Sequence, residues 1–73
     1  MNAKELSRMR PRDALLIIKA VGLRKKHENI LIMRYVEELN SEQISEKLCI
    51  TPESVNNLVC EARKEFDKYV KRI

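Results

Sequence analysis

Seventy-three residues make at most one small domain. A chain this short buries only about 60% of its unfolded surface, too little core to surround an ordinary substrate cleft. With 36% charged and 44% hydrophobic residues and a net charge of +4, the composition is that of a foldable, water-soluble chain, not a disordered tail.

Residues 1–10 show weak periodicity and read as a basic arm or a frayed helix start. A single helical domain is expected over 11–73. Pro11 suits a first helical position, where its missing N–H costs nothing. Ala14, Leu15, Ile17, Ile18 and Val21 then form an apolar stripe, and Gly22 is the expected stop. A second helix is predicted from Lys25 to Glu38, with Ile30, Leu31, Met33 and Val36 turned to the core and Leu39 after them. Asn40 is a good N-cap, and Gln43 three residues later completes a capping box, so a short third helix carries Ile44 and Leu48. Thr51-Pro52-Glu53 is the clearest helix start in the chain, with a Thr cap, Pro at the first position and an acid beside it. The fourth helix carries Val55, Leu58, Val59, Ala62, Phe66, Tyr69 and Val70. One Gly and two Pro in the whole chain exclude a hairpin-rich β fold. The expected class is all-α: four helices, no wing, and a helix-turn-helix at about 40–70.

Other classes drop out on motifs. The longest apolar runs, 14–18 and 30–33, fall far short of the roughly 20 residues that span a bilayer, and no signal-peptide pattern is present. Cys49, Cys60 and His27 are too few for a four-ligand structural zinc site, so no metal and no cofactor are expected. The thiols read as reduced and the chain as cytoplasmic, and the N-terminal Met suits a whole protein. A lone histidine and the lack of a glycine-rich phosphate loop leave no catalytic pattern, and no small-molecule substrate is expected. His27 is expected on the surface, with Met33, Phe66 and Tyr69 in the core.

Charge is segregated. Residues 1–26 carry eight basic and two acidic side chains, residues 27–62 two basic and seven acidic, and residues 63–73 five basic and two acidic. Basic ends around an acidic middle do not make a uniform polyanion-binding surface.

The spacing of 44, 48, 50, 55 and 58 across a three-residue connection fits a DNA-binding helix-turn-helix and an ordinary helical hairpin equally well. The wording around it is more specific. Residues 33–55, M-R-Y-V-E-E-L-N-S-E-Q-I-S-E-K-L-C-I-T-P-E-S-V, closely resemble region 4 of bacterial sigma factors, whose pattern reads L-R-Y-x-E-G-L-S-x-E-E-I-A-x-x-L-G-I-S-P-x-T-V. Residues 61–66, E-A-R-K-E-F, resemble that family's R-A-R-K-K-L, and the resemblance covers about 14–70. Residues 30–66 also resemble the related LuxR-type DNA-binding domain, which usually has a further helix after its recognition helix.

The resemblance implies a transcription regulator that lays the helix over 52–70 in a major groove, alone or as a dimer. Helical wheeling turns Val55, Val59, Ala62 and Phe66 inward and leaves Glu53, Asn57, Cys60 and Lys64 outside, flanked by Asn56 and Glu61. Asn reads adenine N6 and N7 and Glu accepts from cytosine N4, so Glu53, Asn56, Asn57 and Cys60 are the candidate base contacts. Arg34, Asn40, Ser41, Thr51, Ser54, Lys64 and Lys68 are the candidate backbone contacts. Arg8, Arg10 and Arg12 on the arm, and the Arg24-Lys25-Lys26 cluster, are further candidates for phosphate, with a solvated helix start as the plain alternative for the cluster. Two departures from the pattern stand out. Cys49 replaces the turn glycine, and residues 40–62 hold Lys47 as their one cation against four acids. Double-stranded DNA is the expected partner. The alternative is a protein-interaction module that binds RNA polymerase or another regulator and reads DNA weakly or not at all.

Overall fold

A computed structural model describes residues 2–70. The helices are α1 (Ala3–Leu6), α2 (Pro11–Val21), α3 (Lys25–Leu31), α4 (Ser41–Leu48) and α5 (Pro52–Val70), and the backbone continues from α3 into a wide turn over Ile32–Val36. No strand occurs among the described residues, as an all-α chain requires. There is one helix more than the sequence predicts.

That extra helix is α1, within the residues read from sequence as a basic arm or a frayed helix start. Asn2 caps it by accepting the Lys4 N–H at 3.0 Å. Four residues do not hold a helix by themselves, since nucleation costs more than one turn returns. Burial of Ala3 and Leu6 supplies the difference. In addition the Ala3 N–H, an orphan donor at the helix start, donates to Asp67 Oδ1 on α5 at 2.6 Å.

Helix α2 begins at Pro11 as expected and ends at Gly22, which adopts the left-handed conformation at φ 77°. Ala14 and Ile18 are buried, whereas Leu16 stays 64% exposed. The single helix predicted over 25–38 does not run through. Beyond Leu31 the ladder widens, with the Glu37 N–H reaching Ile32 O at 2.9 Å and the Leu39 N–H reaching Met33 O at 3.0 Å. A widened turn is a recognised way to end a helix or shift its face. Here it leaves Ile32, Met33, Tyr35 and Val36 all partly covered against the core. The chain then reverses at Glu38, a left-handed residue at φ 56°.

Helix α5 is the spine of the domain, touching α1, α2, α3 and α4 in turn. Its Val55, Val59, Ala62 and Phe66 are buried, meeting Ile44, Ile30, Leu31, Ile18, Ala14 and Leu6 in one cluster. Phe66 is wholly inaccessible, and burial of a side chain that size stabilises by about 1.5–3 kcal/mol. Met33 and Tyr69 are half-buried against the cluster and so belong to its margin.

Candidate nucleic-acid interface

The junction of α4 and α5 is built from local hydrogen bonds that the sequence specifies. Asn40 Oδ1 accepts the Gln43 N–H at 2.8 Å, and Gln43 Oε1 accepts the Asn40 N–H at 2.9 Å, which completes the capping box. At the other end of α4 the N–H groups of Cys49 and Ile50 both reach Ser45 O, and Cys49 takes the left-handed conformation at φ 57°. Thr51 Oγ1 then accepts the Ser54 N–H at 3.1 Å and starts α5. Ser45 is nearly buried where the two helices approach, its hydroxyl turned back to Glu42 O at 2.7 Å. A capped eight-residue helix, a three-residue turn and a long second helix result.

On the outer surface of α5, Glu53, Asn57, Cys60 and Lys64 are exposed, as the helical wheel requires. Asn56 is exposed as well, but its Oδ1 accepts a hydrogen bond from Ser41 Oγ at 2.7 Å. Asn57 has no such bond. Several candidate backbone contacts serve the fold itself. The Asn40 side chain is the α4 cap, and Thr51 and Ser54 are bonded to each other, with 2.9 Å between their hydroxyls. Arg34 donates to Leu39 O at 3.3 Å and so closes the turn that leads into α4. Lys47 pairs with Glu37 at 3.1 Å. Of the two cations of the acidic middle, Lys47 is thus paired with a carboxylate, and Arg34 is tied to a backbone carbonyl.

Unoccupied positive charge lies at the edges. Arg8, Arg10, Arg12, Lys25 and Lys26 are exposed. Lys64 and Lys68 border a shallow cleft of about 390 Å³ together with Arg24, His27, Glu61, Glu65 and Tyr69. Three cations and two carboxylates line it, so it is no pure anion pocket, and the lysines must reach outward to meet a phosphate. Lys71 and Arg72, at the end of the basic tail, lie outside the described residues.

The cleft floor corrects a second expectation. His27 is 5% exposed, not a surface residue. Its Nδ1 stands 3.0 Å from Glu65 Oε1 and its Nε2 3.8 Å from Glu61 Oε2. Neither ring nitrogen makes a well-aligned hydrogen bond, so these are close polar contacts between α3 and α5. Glu65 also accepts the Arg24 N–H at 3.3 Å, at the start of α3 where Arg24 offers no side-chain cap. The imidazole is the main cause holding the Glu65 carboxyl below its ordinary range; burial opposes it, and the Arg24 N–H assists it. Sequence reasoning missed this contact because 38 positions separate the two residues. An i, i+4 pair of glutamates at 61 and 65 was its only trace.

Helix α4, the turn and helix α5 define a helix-turn-helix protein. The family described as Sigma-70, region 4 matches residues 22–66, more than half of the chain, and the chain belongs to that family. Comparison with curated proteins gave no match, and comparison with solved structures gave none. The match is to the sigma family and does not show the LuxR-type likeness of residues 30–66. The family match begins at Gly22, so α1 and α2 lie outside it. No helix among the described residues is long and apolar enough to cross a membrane.

Proposed function

We propose that the chain is a DNA-binding module of transcription regulation that sets the first half of α5 in the major groove of a duplex. The observation that carries this is the capped α4–turn–α5 unit within the family match, which leaves the Glu53–Asn57–Cys60–Lys64 row exposed. In this geometry Asn57 meets adenine N6 and N7, and Glu53 accepts from cytosine N4. The unbonded N–H groups at the start of α4, at Ser41 and Glu42, face a phosphate. Lys64 and Lys68 neutralise phosphates on one side and the Arg24-Lys25-Lys26 cluster those on another. Arg34, Asn40, Thr51 and Ser54 act by shaping the unit rather than by direct contact. The proposal assigns no catalysis.

One observation favours a second function, binding to RNA polymerase or another regulator with weak DNA affinity. Residues 40–62 are net acidic, and Lys47, their one cation, is paired with Glu37. Phosphate neutralisation supplies most non-specific DNA affinity. Binding to random duplex at two salt concentrations separates the two. DNA binding predicts micromolar affinity that salt weakens, with the Lys64→Ala/Lys68→Ala variant lowering the salt slope by about one for each lysine removed. The Arg24→Ala/Lys25→Ala/Lys26→Ala variant lowers it similarly if the cluster touches DNA. No binding even at low salt would refute the proposal and leave the polymerase function.

A further inference from the structure

We infer that Ser41 sets the base preference of Asn56 by fixing which end of its carboxamide faces outward, an inference that rests on the proposed DNA binding. A free Asn reads adenine because its oxygen accepts from N6 while its nitrogen donates to N7. Here the oxygen is engaged. Ser41 Oγ, in the first turn of α4, donates to Asn56 Oδ1 at 2.7 Å across the junction of the two helices.

A serine hydroxyl has one hydrogen to give. Having spent it on Asn56, Ser41 cannot also donate to a phosphate and is a positioning residue. With Oδ1 turned to Ser41 and holding one of its two lone pairs there, the two Nδ2 hydrogens are the end of the Asn56 carboxamide without a partner. A presented donor end fits the guanine edge, where N7 and O6 are both acceptors, and is opposed by the cytosine N4 amino group, which is a donor as well. Asn57, one position on and with no such bond, keeps both ends of its carboxamide available. The two adjacent asparagines therefore read different bases: Asn57 adenine and Asn56 guanine.

The capping box of α4 is made by Asn40 and Gln43, not by Ser41, so Ser41→Ala folds. Ser41→Thr retains the hydroxyl and serves as the rescue. The first measurement needs no DNA: nitrogen-15 relaxation of the side-chain amides. Wild type and Ser41→Thr should show Asn56 Nδ2 ordered, above about 0.6, and Ser41→Ala should let it fall to the lower value of Asn57. The second is selection from a randomised duplex library. Ser41→Ala should raise the adenine-to-guanine ratio at one base position by about fivefold or more, the low end of what a bidentate contact discriminates. Ser41→Thr should keep the wild-type ratio.

An Asn56 amide equally mobile in wild type and Ser41→Ala overturns the inference. So does an unchanged base ratio in a Ser41→Ala variant that still binds. Wild type that binds no duplex at all sinks the proposed function first, and the base assignment with it.

Discussion

Cys49 stands at φ 57° where the helix-turn-helix bends, and replacing it with glycine should stabilise the protein. A residue with a Cβ held in the left-handed region costs about 1–2 kcal/mol. Glycine returns about 0.5–1 kcal/mol of that, because its unfolded chain is freer. Nothing else of weight is lost, since Cys49 is exposed and its Sγ sits 3.9 Å from Glu46 O, a weak contact. The net gain for Cys49→Gly is about 0.5–1 kcal/mol, and for a domain this small 1 kcal/mol moves Tm by about 4–8 °C. Gly22 supplies the control of opposite sign. At φ 77° it would place an added Cβ in open space, so Gly22→Ala isolates the backbone cost and should lower Tm by several degrees. Thermal unfolding followed by far-ultraviolet circular dichroism reads both. A Cys49→Gly variant with unchanged or lower Tm, beside a Gly22→Ala variant that falls as expected, would refute the bookkeeping at the turn.

Asn40→Ala removes one half of the α4 capping box and should cost about 1 kcal/mol by urea titration, with the transition slope unchanged. Asp67→Ala deletes the acceptor of the Ala3 N–H, and hydrogen exchange should then accelerate over residues 3–6 while the centre of α5 stays protected. Glu65→Gln tests the acid limb. The carboxyl of Glu65 is held low, so between the folded and unfolded pKa values the unfolded chain binds more protons. Its contribution is present above the ordinary carboxylate value and lost as pH falls through the lowered one. Wild type should therefore lose stability in acid more steeply than Glu65→Gln, and parallel profiles would contradict the His27–Glu65 contact.

What the sequence made legible is what local chemistry decides. Asn40 with Gln43, Thr51 before Pro52, and the apolar spacing of Val55, Val59, Ala62 and Phe66 each act within a few residues, and each forms as expected. The misses share one cause, a partner far away in the chain. Leu6 is buried because α5 is there, and His27 is buried because Glu65 faces it. Neither fact leaves a period in the sequence. The widened turn at Ile32–Val36 was hidden for another reason: apart from Arg34 its residues are all apolar or aromatic, so an α-helical stripe and a wider one look the same. At the site, several of the residue types singled out for a ligand also make hydrogen bonds within the fold, which no local pattern announces. Arg34 donates to Leu39 O and Ser41 to Asn56 Oδ1.

The hydrogen bond from Ala3 to Asp67 joins positions 64 apart in sequence, so the start of α1 and the last turns of α5 meet at one point of the domain. The start of α5 lies about 22 Å from Asp67 along the helix axis, at 1.5 Å for each residue. A domain wired this way is a cassette. Grafted into a surface loop of another protein, it would hold the α4–α5 corner outward from its host, with both strands of the tether on the far side.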